Sequence, residues 1–138
     1  MQPNFTAAQS GVSPFLVDTD ASDYALGGVL SQVDEDGNER PIYFHSRKFT
    51  SAEANYATTE KEGLAVVSSM QKFRPYILGC EIIVRIDHSA LAFMFRKEKL
   101  TGRMARWACM LSEYKFTAVT RPGQGHANAD GLSRCFAT

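Results

Sequence analysis

Apolar residues recur along this chain with two periods, first that of strands and then that of helices. Residues 14–20 read as a strand in which Phe15, Leu16 and Val17 form an apolar run ending in two acids, Asp18 and Asp20. A second strand follows in YALGGVLSQV, residues 24–33, where Gly27 and Gly28 allow close backbone approach or a bulge. The segment DEDGN, residues 34–38, signals a turn, since Gly37 and Asn38 tolerate positive φ. RPIYFHSRKF, residues 40–49, completes a three-stranded antiparallel meander.

The helical period then takes over. Thr50 or Ser51 can cap, and Glu53 stands at capping-box spacing from Thr50. The pattern predicts one helix from Ala52 to about Tyr76, with Leu64, Val67, Met70 and Phe73 on one face and Pro75 and Gly79 ending it. Gly63 inside that helix costs roughly 1 kcal/mol relative to alanine. EIIVRID, residues 81–87, is a β-branched strand that again ends in an acid. Helices are expected at 89–98 and 102–114, a strand at 116–123, and a short helix in NADGLSR, residues 128–134. The order βββαβααβα, with a strand–helix–strand unit after the meander, predicts an α/β fold: a mixed sheet covered by helices.

Length and composition narrow this picture only a little. The 138 residues suffice for one domain with a sizeable core. Residues 1–13 read as a linker or cloning remnant and 14–138 as the domain. The start lacks the basic and apolar regions of a secretory signal, and no apolar run approaches the ~18 residues of a membrane span, so no membrane partner is expected. Cys80, Cys109 and Cys135 are odd in number and lack CxxC pairing, which speaks against a disulfide framework or a zinc site and for a reducing compartment. Formal charge is zero, yet Arg96, Lys97, Lys99, Arg103 and Arg106 cluster against Glu98 alone. Such a cluster is a solvated helical face or a nucleic-acid contact.

The acids carry the candidate chemistry. Asp20 and Asp87 end strands, Glu60 and Glu62 precede the apolar helical run, and Asp130 lies in the tail. Strand ends and the adjacent helix are where catalytic groups gather in such sheets. Carboxylates brought together repel one another, and cations relieve the repulsion. Magnesium prefers carboxylate oxygen, and two such ions ~4 Å apart can activate water and stabilise a leaving oxygen. An acid pair such as Asp18 and Asp20 is equally what a solvated turn contains.

Several stretches, taken together, resemble one family. They are TDAS (19–22), RPIYFHSRKFTSAEANYATTEKEGLAVV (40–67), FRPYILG (73–79), VRIDHSAL (84–91), GRMARW (102–107) and RPGQGHANADGLSR (121–134). In this order they resemble the ribonuclease H domain of reverse transcriptases, most closely that of gypsy-type long-terminal-repeat retrotransposons. The resemblance implies a ribonuclease H-like fold with a five-stranded mixed sheet. It implies two magnesium ions, with manganese as a substitute, held by Asp20, Glu62, Asp87 and Asp130. It also implies hydrolysis of the RNA strand of RNA–DNA hybrids. Glu62 is chosen over Glu60 because the positions differ by two and do not share a helix face.

By the same resemblance His126 assists proton transfer or product release, or is an exposed loop histidine. Asp18 supports the site or meets solvent. His88 caps a helix or backs the site, and Trp107 and Tyr114 belong to the core. Ser22, Arg47, Arg96, Lys97, Lys99, Arg103 and Arg106 are the candidate hybrid contacts, reading shape and phosphates. The implied partner is the polymerase domain of the same polyprotein, since no YxDD motif occurs here, and the implied place is a cytoplasmic virus-like particle or the nucleus. Two alternatives stand: a non-catalytic hybrid-binding or interaction module, and another nuclease of the same fold, such as an integrase core. The motifs GRMARW and NADGLSR argue against the integrase.

Overall fold

The computed structural model describes residues 14–94 and 102–120, apart from the side chain of Phe93. Strand β1 (Phe15–Ala21) pairs antiparallel with β2 (Ala25–Val33), and β2 pairs antiparallel with β3 (Glu39–Lys48). The turn between β2 and β3 closes as its composition suggests. Asp34 Oδ1 accepts from the backbone of Asp36 and Asn38, and Gly37 adopts φ +86°. The β2–β3 register shifts at Leu30 and Ser31, where Ile42 of β3 is the extra residue, rather than at the glycines.

Two helices replace the single one expected after β3. Helix α1 (Ser51–Ala54) is capped by Thr50, whose Oγ1 accepts from Glu53 N while Glu53 Oε1 accepts from Thr50 N. The chain then breaks and restarts as α2 (Thr58–Ile77), because Glu60 offers a second acid that accepts from Ala57 N. Helical spacing on both sides of the break concealed it. Pro75 does not end α2 but sits in its last turn, where its fixed φ fits the helix and only one backbone bond is forgone. The true stop is a type II turn, with Leu78 extended, Gly79 at φ +87° and Cys80 N donating to Ile77 O at 3.0 Å.

Strand β4 (Glu81–Ile86) returns parallel to β1. Helix α3 (His88–Met94) and helix α4 (Gly102–Leu111) follow, and β5 (Lys115–Thr120) pairs parallel with β4. The strand order is 3-2-1-4-5, a mixed sheet as expected. Helix α4 stops three residues short of the predicted end at 114, and Ser112 Oγ donates to Cys109 O at its close. The expected final helix at 128–134 lies outside the described residues.

Alternation assigns Phe15, Val17, Leu30, Ile82, Val84 and Ile86 to one sheet face, where they meet Leu64, Val67, Met70 and Phe73 of α2. Trp107 and Tyr114 belong to this core, as expected, and Tyr114 Oη donates to Met70 O at 3.3 Å. Helix α2 approaches β2 unusually closely at one point. A Cβ on Gly28 would overlap Ser69 Oγ and lie 2.8 Å from Ser69 Cβ, whereas one on Gly27 would meet only His45 O at 3.5 Å. Gly28→Ala is therefore expected to cost about 1–3 kcal/mol in denaturant unfolding, as overpacking does, while Gly27→Ala costs less than about 1 kcal/mol.

Candidate active site

The parallel pairing of β1 with β4 brings two acids to one edge of the sheet. Its register runs from Phe15 opposite Ile82 to Asp18 opposite Arg85. Two residues further on each chain stand Asp20 and Asp87, at neighbouring strand ends. Helix α2 brings a third. Ser69 lies over Gly28, which pairs with Thr19. Glu62 precedes Ser69 by seven residues, about 10 Å of helix rise, equal to about three residues of strand beyond Thr19. The start of α2 thus stands level with the β1–β2 turn, and Lys61 Nζ donates to Asp23 O there at 3.5 Å.

The three acids differ in their surroundings. Asp20 is exposed, so no burial penalty has to be offset. Asp87 is half-buried and occupies the N-cap position of α3. Its Oδ2 accepts from Ser89 N at 3.3 Å and Ser89 Oγ at 2.7 Å. His88 is the exposed first residue of α3, and Asp87 is the cap. Glu62 is half-buried, with Oε1 shielded from solvent. Glu60 is committed elsewhere, to Ala57 N through Oε1 and to Arg103 Nη1 through Oε2.

Among the described residues, no three histidine, cysteine or carboxylate side chains are drawn together closely enough to hold a metal ion. Alternation gives the physical reason. Asp20 shares a face with Asp18, turned away from α2, while Glu62 comes from the α2 side, so the acids straddle the sheet edge. The donor set itself fits a hard cation: three carboxylates, one with a shielded oxygen and one whose Oδ2 is held by a cap. Asp130 and His126 lie outside the described residues.

The candidate hybrid contacts separate into distinct settings. Ser22 Oγ accepts from Tyr24 N and Ala25 N, both at 3.1 Å, and shapes the β1–β2 turn beside Asp20. Arg47 is paired to Glu53 at 2.8 Å, Arg103 to Glu60 at 2.9 Å, and Arg106 is exposed on α4. Arg96, Lys97 and Lys99 lie outside the described residues.

One group near the site escaped sequence reasoning. Asp18, half-buried, is committed to an ion pair. Both its oxygens accept from Arg85 at 2.7 Å, and the same guanidinium donates to both oxygens of Glu39 at 2.8 and 2.9 Å. The available signal was Arg85 itself, a charge inside the β-branched run EIIVRI, which requires an acidic partner. Glu39 and then Asp18 hold Arg85 firmly protonated, and Arg85 holds the Glu39 carboxyl below its ordinary range.

A five-stranded sheet in 3-2-1-4-5 order, antiparallel then parallel, with acids at the ends of β1 and β4 and helices alongside, defines a ribonuclease H-like domain. The family model described as the RNase H-like domain found in reverse transcriptase matches residues 12–114, and the chain belongs to that family. It is 41% identical over 122 residues to the retrovirus-related Pol polyprotein from transposon opus of Drosophila melanogaster, covering 88% of this chain and 12% of that protein. It is 37% identical over 123 residues to the Transposon Tf2-3 polyprotein of Schizosaccharomyces pombe, covering 86% and 9%. The chain thus spans about a tenth of the length of these curated relatives.

Two solved structures bear on the fold alone. The foamy viral protease-reverse transcriptase in complex with RNA/DNA hybrid aligns with TM-score 0.61 and 22% identity, over 85% of this chain and 16% of that one. RNase H1 from the halophilic archaeon Halobacterium salinarum NRC-1 aligns with TM-score 0.57 and 12% identity, over 86% and 92%.

The Arg85 clamp has a signature in pH. Arg85→Met leaves two carboxylates unpartnered and is expected to cost about 1–2 kcal/mol near pH 7, discounted for the solvent that reaches Glu39. Because the folded-state pKa of Glu39 is lowered, its share of this stability is present above its unfolded pKa and lost as pH falls through the folded value. Denaturant unfolding of both proteins across the acid range is expected to show the gap narrowing below about pH 4.

Proposed function

We propose that this domain is a metal-dependent endonuclease that hydrolyses the RNA strand of RNA–DNA hybrids during reverse transcription of a gypsy-type retroelement. The reading is supported by Asp20 and Asp87 ending neighbouring strands, with the start of the helix that bears Glu62 level with the β1–β2 turn, in a chain whose family is that of reverse-transcriptase RNase H-like domains. The proposed cofactor is a pair of magnesium ions, replaceable by manganese, held by Asp20, Glu62, Asp87 and Asp130. Bound there, the metals would supply water activation and charge stabilisation at the scissile phosphate.

The chain's own residues supply the rest. Asp87 keeps one oxygen on the α3 cap, which fixes its carboxylate plane and points its other oxygen independently of substrate. Ser22 holds the β1–β2 turn and so the end of the strand that bears Asp20. Arg106 is exposed on α4, and with Arg96, Lys97 and Lys99 it is proposed to meet hybrid phosphates, a binding mode that weakens with salt. His126 is proposed to assist product departure. The polymerase domain of the same polyprotein is the proposed partner, since the curated relatives are polyproteins about ten times longer than this chain.

Asp87→Asn tests the reading cleanly, because asparagine caps a helix nearly as well as aspartate and stability should change by less than about 1 kcal/mol. Loss of a partner beyond the ligands themselves typically costs 10–100-fold, so loss of this direct ligand is expected to lower hybrid cleavage at least about a hundredfold. The assay uses labelled RNA–DNA hybrid with magnesium or manganese, and duplex RNA and single strands as controls. A folded wild-type protein that binds hybrid but cuts nothing with either metal would favour the non-catalytic binding module instead.

A further inference from the structure

Helix α4 fastens α2 on both sides of Glu62, at Glu60 and at Gly63. On one side, Glu60 Oε2 accepts from Arg103 Nη1 at 2.9 Å, and the Arg103 guanidinium stacks 3.9 Å over the ring of Tyr56. On the other side lies Gly63. A Cβ there would come within 3.0 Å of Trp107 Cζ3 and 3.5 Å of Met94 Sδ, so glycine lets the buried indole lie directly against α2. Tyr56 closes the joint, its ring 6.5 Å from that of Trp107. Helix α2 needs this support at its start. Its N-cap residue, Ala57, has no side-chain oxygen, and the chain is broken from α1 just before it. A helix end with few partners frays.

We infer that Arg103 is a positioning residue, which together with Trp107 holds the first turns of α2 so that Glu62 stays at the sheet edge. This rests on the proposed role of Glu62 as a metal ligand. It replaces the expectation that Arg103 grips a hybrid phosphate, and the two roles leave opposite signatures. A phosphate contact sets hybrid affinity and its salt dependence. A positioning residue sets turnover and metal affinity.

The experiment compares the wild-type domain with Arg103→Ala, Arg103→Lys and Glu60→Gln. It measures kcat and KM for hybrid cleavage, hybrid affinity against salt, and manganese binding by calorimetry without nucleic acid. Arg103→Ala and Glu60→Gln are expected to lower kcat by about tenfold or more, as small misplacements do. Manganese affinity should fall about tenfold, with KM unchanged within about twofold. Arg103→Lys should recover most of the loss, because it keeps a charge for Glu60. If Arg103→Ala fails to fold, Glu60→Gln decides alone. Unchanged kcat and manganese affinity, with a raised KM and a salt slope reduced by about one, would make Arg103 a phosphate contact and overturn the inference. A wild-type domain that neither cuts hybrid nor binds manganese would instead overturn the reading of Glu62, and the inference with it.

Discussion

Everything at the sheet edge depends on how α2 seats against β2. Ser69 is fully buried, and its side chain occupies the space that a side chain on Gly28 would need. A helix that rests on strand backbone cannot slide along the sheet without driving a side chain into that contact, because interiors are close-packed. The edge strand reinforces the same seating. His45 Nε2 lies 2.9 Å from Ser68 Oγ, and the ring of Tyr43 packs 5.9 Å from that of Phe73. Burial, with Lys72 and Arg47 nearby, lowers the His45 pKa. The height of Glu62 above the strands is therefore inherited from a contact two helical turns away.

The parts of this architecture that were legible in the sequence are the local ones. Alternation in β1, the turn at Gly37 and the capping box at Thr50 each need only neighbouring residues to be recognised. The close approach at Gly28 was foreseeable in kind, since a glycine inside a strand invites it. What stayed hidden was non-local or doubly signalled. Asp18 looked like a companion of Asp20 because its partner, Arg85, is 67 residues away in the chain. The break before Thr58 was masked by helical spacing on both sides, and Glu60 stood only as a rival to Glu62, its real partner on α4 being 43 residues away.

The site itself was legible as a set of elements more than as a set of distances. Strand ends at Asp20 and Asp87 and a long helix carrying Glu62 ahead of its apolar run could be placed from the apolar runs beside them, whereas the helix start at Thr58, one turn before Glu62, could not. That the acids straddle the edge from opposite faces follows only once the register and the helix height are known. Asp87 shows how economical the arrangement is, because one carboxylate both starts α3 and faces the edge.

The pairing of β1 with β4 also sets an order of events. The meander from β1 to β3 closes through tight turns, whereas β1 finds β4 only after the whole crossover through α2 has been laid down. Chain closure over such a separation is slow compared with hairpin formation, and synthesis delivers the chain from its amino end at about 5–20 residues per second. Asp20 can thus be in place within a meander while Asp87 has not yet left the ribosome. A chain made only as far as α2 would carry one acid at the end of a strand and no β4 beside it, so the edge comes into being only once the crossover is complete.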